Sequence, residues 1–222
     1  RRVALKAEHA PFEPVHFSQR ILVPLANPQT APQLMELAMM TRSPTSEQPI
    51  YPLVIVRDPD DPRTGVAAGE KLLTHAITHA AAADVPVTPL VRIDHNVARG
   101  IDRAIRETMI STVIIGWNGK GGGGPHTFGS ILDQVLHDTD ELVLVTRLTH
   151  PLATADRLVV LLPQHADRDL GFADLVRVTK VIAGQIGARM LVVTTNDTRA
   201  GVEAAFESTQ PVVPTDFETH GL

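Results

Sequence analysis

The chain has 222 residues, 43 % of them apolar, with a formal net charge of −5 and no cysteine. That length supports one large domain or one domain and part of another, and the missing cysteine excludes disulfides, thiolate chemistry and cysteine-ligated zinc. Scattered basic residues, six Phe, one Trp and one Tyr do not make a nucleic-acid footprint. The longest apolar runs, such as LVVLL at 158–162, fall short of the ~20 residues of a membrane span.

No secretory pattern precedes the first apolar run, so the expectation is a soluble, cytoplasmic piece; the opening Arg1 fits a fragment. Residues 1–19, with Pro11 and Pro14, read as a linker. ILVPL at 21–25 reads as a buried strand. The next segment is helical, with Thr30 as its cap, Pro32 in its first turn and Leu34, Leu37, Ala38 and Thr41 on one face. YPLVIV at 51–56 is a strand, and Asp58, Asp60 and Asp61 follow it in a polar loop. Residues 65–83 form a helix with Leu73, Ile77 and Ala80 in one stripe, and 85–93 carry a strand. Asn96 caps a helix whose inner face is Val97, Ile101 and Ile105. TVIIG at 112–116 is a strand, followed after a glycine-rich stretch by a helix with Ile131, Leu132, Val135 and Leu136 inward, and by the strand LVLVT at 142–146. Such alternation predicts an α/β fold, a parallel sheet with helices on both faces.

After a linker at 148–156 the pattern restarts. RLVVLL at 157–162 resembles RILVPL at 20–25, a helical stretch runs over 168–186, and MLVVTT at 190–195 stands where YPLVIV stood. Beyond it lies a tail with Pro211 and Pro214. Residues 157–222 therefore read as a partial second repeat.

The segment GWNGKGGGGPHTFGS at 116–130 places seven glycines between a strand end and a helix start. In a doubly wound sheet, ligands lie beyond the carboxyl ends of the strands, and a helix N-terminus there offers unpaired N–H groups and positive potential suited to phosphate. Glycines let the backbone approach closely and form an anion nest; Lys120 adds charge and Ser130 a hydroxyl. The P-loop pattern fails, because Ile114 stands where its first glycine belongs and Gly121 follows Lys120; the dinucleotide pattern fails at Asn118 and at Thr127. Each residue also has a plain reading: the tetraglycine 121–124 as a loose loop tip, Lys120 and His126 as solvated side chains, Ser130 as a helix cap.

The spacing that fits is Gly116, two residues, Gly119, nine residues, Gly129-Ser130. It resembles the nucleotide-binding signature of the universal stress protein family. ILVPL, VIV at 54–56 and HDTDELVLVTR at 137–147 resemble that family's first, second and last strands, so the likeness covers about residues 20–147. The resemblance implies a five-stranded parallel sheet of order 3-2-1-4-5 with an adenine nucleotide (ATP, ADP or AMP, with Mg²⁺ allowed beside ATP) between strands one and four. It assigns Gly116 and Gly119 to the ribose and phosphate side, Gly129, Ser130 and Ile131 to phosphate, and Val56 with Pro24, Leu25 and Ala26 to the base; Asn118 and Lys120, beside Gly119, join the candidate binding residues. Where the family has Asp in a stretch like PVDGS, this chain has Ala26 in PLANP; either Asn27 substitutes or affinity and base selectivity fall.

No nucleophile, base and orienting group stand at a definable spacing, so a binding module is expected and not an enzyme. His75 and His79 are four apart but lack a third ligand and a following Glu, so no metal is expected. The block RILVPLANPQTAP behind a proline-containing linker also resembles cytosolic tails of bacterial cation/proton antiporters. That likeness implies a regulatory domain of an inner-membrane transporter, with the transporter domain of the same polypeptide as partner. A free-standing tandem stress protein and a slow ATPase are the alternatives. Family members pair through their final strands, so a homodimer is expected, or a second unit that docks on that edge in a second protomer's place, with one nucleotide site per chain.

Overall fold

The computed structural model describes residues 19–43, 45–57, 62–120 and 127–220. The aspartate loop after the second strand, the tetraglycine, His126 and nearly all of the leading linker lie outside the described residues. The first unit alternates β1 (Ile21–Pro24), α1 (Ala31–Thr41), β2 (Ile50–Arg57), α2 (Pro62–Ala81), β3 (Leu90–Asp94), α3 (Val97–Thr108), β4 (Thr112–Gly116), α4 (Ser130–Asp138) and β5 (Leu142–Thr146). Its five strands pair in the order β3-β2-β1-β4-β5, all parallel. Parallel neighbours need a crossover, and each crossover here carries a helix.

The central strand sets the layering. Ile21, Val23 and Leu25 face one layer with α1 and α2, whereas Leu22 faces the other with α3 and α4. Ile21, Leu22 and Val23 are each no more than 1 % exposed, and burial of such a side chain contributes roughly 1.5–3 kcal/mol. Helix α2 comes close to β2 because it presents glycine there: a Cβ on Gly65 would lie 2.5 Å from Val56 Cγ1, and one on Gly69 3.0 Å from Val54 Cγ1. Helix α3 starts where Asn96 was expected to cap it. The Asn96 Oδ1 accepts from the N–H groups of Ala98 and Arg99 at 2.8 and 3.2 Å, and its Nδ2 donates to Gln134 of α4 at 3.2 Å.

Local expectations fail where tertiary packing decides. Ile131, Leu136 and Ile77 are exposed, not inward, because Leu132 and Val135 of α4, and Leu72, Leu73, Ala76 and Ala80 of α2, already fill the available layer. Thr30 precedes α1 but makes no side-chain cap; its hydroxyl donates to the Asn27 carbonyl. The expected helix at 168–186 begins at Phe172, after a 3-10 turn at Ala166–Arg168.

The second unit consists of β6 (Arg157–Leu161), α5 (Phe172–Ile186), β7 (Arg189–Thr194), α6 (Arg199–Ser208) and β8 (Thr215–Thr219), with strand order β6-β7-β8. The stretch read as a tail thus adds a helix and a strand to the partial repeat. Two bonds at the strand ends repeat those of the first unit. Leu162 N–H donates to Val193 O as Leu25 N–H does to Leu53 O, and Met190 N–H to Pro214 O as Ile50 N–H does to Pro86 O. The two sheets remain separate. The second unit does not dock on the β5 edge: α5 packs against α1, and Ile182 joins the first core beside Leu148 and Leu152 of the connecting segment. That segment contains a 3-10 turn, Leu152–Thr154, and so is not a bare linker. No helix among the described residues is long and apolar enough to cross a membrane.

Lys180 is 3 % exposed, and its ammonium donates to the carbonyls of Phe206 and Thr209 at the end of α6. Those carbonyls have no helical partner, so the lysine closes the helix. Burial lowers the Lys180 pKa below the ordinary 10.5. A lowered folded value means that the unfolded chain holds the proton longer, so stability rises with pH between that value and 10.5. Lys180→Met should strand both carbonyls and destabilise the chain by about 1–3 kcal/mol, and the alkaline rise should vanish; denaturant titrations at several pH values read both effects. Gly65→Val should force α2 off Val56 and cost about 1–3 kcal/mol of overpacking, seen as a lower denaturation midpoint.

Candidate functional site

The helices after β1 and β2 cover one face of the five-stranded sheet, and those after β3 and β4 the other. The chain therefore leaves β1 and β4 in opposite directions, and a crevice opens between their carboxyl ends.

On the β1 side, Leu25 N–H donates to Leu53 O at 2.8 Å and the Leu25 side chain is buried. Pro24 is half-buried, and Ala26 and Asn27 are exposed at the lip. Asn27 shapes the turn into α1: its Oδ1 accepts from Gln29 N–H at 2.9 Å, and its carbonyl from the N–H groups of Thr30 and Ala31 at 3.2 and 3.1 Å. The carboxamide oxygen that was to stand in for the missing aspartate is thus engaged in the turn. Val56 sits 5 % exposed beneath Gly65, so its side chain belongs to the core and only its main chain is left for a base.

On the β4 side the chain turns sharply. Trp117 N–H donates to Thr146 O at 2.7 Å and extends the β4–β5 ladder by one residue. Asn118 Oδ1 then accepts from Lys120 N–H at 2.8 Å, and Trp117 Nε1 donates to Lys120 O at 3.1 Å. Gly119 has φ +77° and packs against a guanidinium: a Cβ there would lie 2.6 Å from Cζ and Nε of Arg147. The far end of the glycine-rich segment returns to the same place, because Phe128 meets Trp117 edge to face at a ring separation of 5.3 Å.

Gly129 has φ +107° and opens α4 with no side-chain cap. The first intrahelical bond runs from Asp133 N–H to Gly129 O at 2.9 Å, which leaves the first-turn N–H groups, including those of Ser130 and Ile131, for water or a ligand. Asp133 Oδ1 accepts from Phe128 N–H at 3.0 Å, so the carboxylate in this turn holds the approach to the helix. Ser130 is the first helical residue, not its cap, and is exposed.

A cleft of about 140 Å³ adjoins the crevice on the α1 side, between Asn27, Thr30 and Leu34 on one wall and Gly116, Asn118 and Thr146 on the other. Small-molecule sites usually run to roughly 300–1,000 Å³, so a nucleotide-sized ligand would extend beyond it over the strand ends. Of the expected residues, Asn27, Gly116 and Asn118 line this cleft, and Gly129, Ser130 and Ile131 form the helix entry. Thr146, Leu34, Trp117 and Phe128 were not expected. The rule that sites gather at strand carboxyl ends points to Thr146, and the place of the chain's one tryptophan inside the glycine motif points to Trp117. A larger cavity of about 230 Å³ lies in the second unit beside Lys180 and Phe206; it touches neither the crevice nor the glycine segment. His75 and His79 are exposed, and His75 Nδ1 lies 2.8 Å from Lys71 O. No cluster of three metal-ligating side chains occurs among the described residues.

The sequence profile described as the universal stress protein family matches residues 18–147. The Na(+)/H(+) antiporter NhaS5 of Synechocystis sp. is 36 % identical over 135 residues, which are 58 % of this chain and 19 % of the antiporter, so the match spans less than a fifth of that relative. Two solved structures follow the fold through both units. One is a universal stress protein from Archaeoglobus fulgidus DSM 4304, with 16 % identity and a TM-score of 0.61, covering 92 % of this chain and 78 % of the other. The second is the cytoplasmic domain of a prokaryotic cation chloride cotransporter, with 10 % identity and a TM-score of 0.57, covering 92 % of this chain and 80 % of the other. With more than half of its length inside the profile and its five strands in the order 3-2-1-4-5, the chain belongs to the universal stress protein family.

Proposed function

We propose that this chain is a regulatory domain that binds an adenine nucleotide between β1 and β4 and controls a cation/proton antiporter joined to it. The observation that carries the reading is the uncapped start of α4 at Gly129, beside the carboxyl end of β4, where Gly116 and Gly119 let the backbone crowd the crevice. Helix N–H groups and the dipole favour a phosphate there. The base lies towards Pro24, Ala26 and the main chain of Val56. With Ala26 in place of an acidic side chain, discrimination among bases is weaker.

The transporter part of the proposal draws support from the identity shared with the antiporter. A ligand regulates only through different affinities for two states. The route to a partner runs through the connecting segment: Thr146 and Leu148 line the cleft, and Leu148 packs with Leu152 and Ile182 against the first core. A nucleotide in the cleft would therefore bear on the contact between the units. The domain acts by binding and not by turnover. Mg²⁺ would accompany only the triphosphate. A second copy would pair at β5, whose outer edge has no strand neighbour among the described residues.

A second reading, a free-standing tandem stress protein, is favoured by the likeness to the Archaeoglobus fulgidus structure over 92 % of the chain. The coding sequence upstream separates the two: apolar spans there indicate a transporter.

Calorimetric titration with ATP, ADP, AMP and cyclic dinucleotides should show binding of at least one below millimolar concentration; failure of all of them rejects a sensory role. Gly129→Val should weaken that binding at least tenfold while circular dichroism stays native, because among the described residues, its chain neighbours aside, no atom lies within 4 Å of the new Cβ and the +107° φ is what opposes it. Phosphate release that falls with Ser130→Ala would instead establish an ATPase.

A further inference from the structure

We infer that Arg147 supplies the positive charge that meets the ligand's phosphates, and that Gly119 lacks a side chain so that this guanidinium can cross the loop. The inference rests on the nucleotide reading of the β1–β4 crevice and names the anionic part of the ligand: a nucleoside di- or triphosphate is bound in preference to a nucleoside.

Strand alternation locates Arg147. Val143 and Val145 of β5 pack in the layer with α3 and α4, and Leu144 packs in the layer with α1 and α2. Side chains alternate faces along a strand. Thr146 and Leu148 accordingly line the α1-side cleft, and Arg147 falls on the α4 side. The bond from Trp117 N–H to Thr146 O continues the ladder to this point, so the alternation persists. Trp117 packs on the same side as Arg147 and meets Phe128, the residue before Gly129. Arg147 and the open start of α4 thus share one face and one end of the sheet.

The guanidinium is available. Among the described residues it has no ion pair or hydrogen bond, and it is exposed. It rests on Gly119, where any Cβ would overlap it at 2.6 Å. The left-handed φ of +77° favours glycine at 119, and the missing Cβ leaves the flexible end of the arginine its place above it. Lys120, exposed on the next residue, is a point charge on a flexible stem. A planar guanidinium with paired donors suits phosphate oxygens better. Arg147 also leads directly into Leu148 and Leu152, so a phosphate that draws it inward pulls on the segment between the units.

The test is titration of ATP, ADP and adenosine into the whole chain and into Arg147→Gln, Arg147→Lys and Lys120→Gln, with thermal melts as a folding control. Arg147→Gln should weaken ATP and ADP at least tenfold, leave adenosine unchanged and flatten the salt dependence of ATP binding; Arg147→Lys should recover part of the loss, and Lys120→Gln should have the smaller effect. If wild type prefers ATP to adenosine and Arg147→Gln keeps that preference, the assignment fails and the site stands. Equal loss of ATP and adenosine shows a merely structural arginine and also overturns it. If wild type binds none of the three, the site and the assignment fall together.

Discussion

Strand β1 is the constraint on which the rest of the first unit depends. It is covered on both faces, with Ile21, Val23 and Leu25 in one apolar layer and Leu22 in the other, and it pairs in parallel on both edges. A strand so enclosed has one register, because a slip by one residue would exchange its layers. The fixed register aligns the ends of β1, β2 and β4, and the reversal of chain direction at β1 opens the crevice. The candidate site is in this sense a by-product of how the central strand is buried.

The second unit shows what remains when half of that arrangement is present. Strands β6 and β7 repeat the ladder of β1 and β2, and α5 and α6 cover one face. Val159 aligns with the fully buried Leu22, yet Val159 is 48 % exposed and Leu161 is 74 % exposed. The layer that α3 and α4 supply in the first unit has no counterpart among the described residues of the second, nor does the strand beside β1 that forms the other wall of the crevice. The unit is held by its own core around Phe206 and by the contact of α5 with α1.

Within the glycine-rich segment the glycines do different work. Gly119 allows a left-handed turn beneath a guanidinium, whereas Gly129 allows the left-handed entry to a helix that no side chain caps. The aromatic contact of Trp117 with Phe128 brings the two turns together. Polar atoms that would compete for a ligand are engaged locally: Asn27 Oδ1 in the turn before α1, Asn118 Oδ1 with Lys120 N–H and Asp133 Oδ1 with Phe128 N–H. Among the described residues, the first-turn N–H groups of α4 and the side chains of Lys120 and Arg147 stay open, a surface that suits an anion.

The sequence by itself determined the strand series, the α/β class, the sheet order through the family likeness and the positions of the glycines. Short β-branched runs separated by helical periods admit few other arrangements, and a fixed glycine spacing encodes backbone conformation directly. The tertiary structure alone decided that Val56 turns into the core under Gly65, that Ile131 faces outward, that the proline-containing tail folds as α6 and β8, and that the second unit attaches through helices and not along the β5 edge. It also brought Arg147 over Gly119. These outcomes depend on which neighbour fills a layer first and which polar group is already bonded, quantities set by contacts between residues far apart in the chain and therefore invisible to a local pattern.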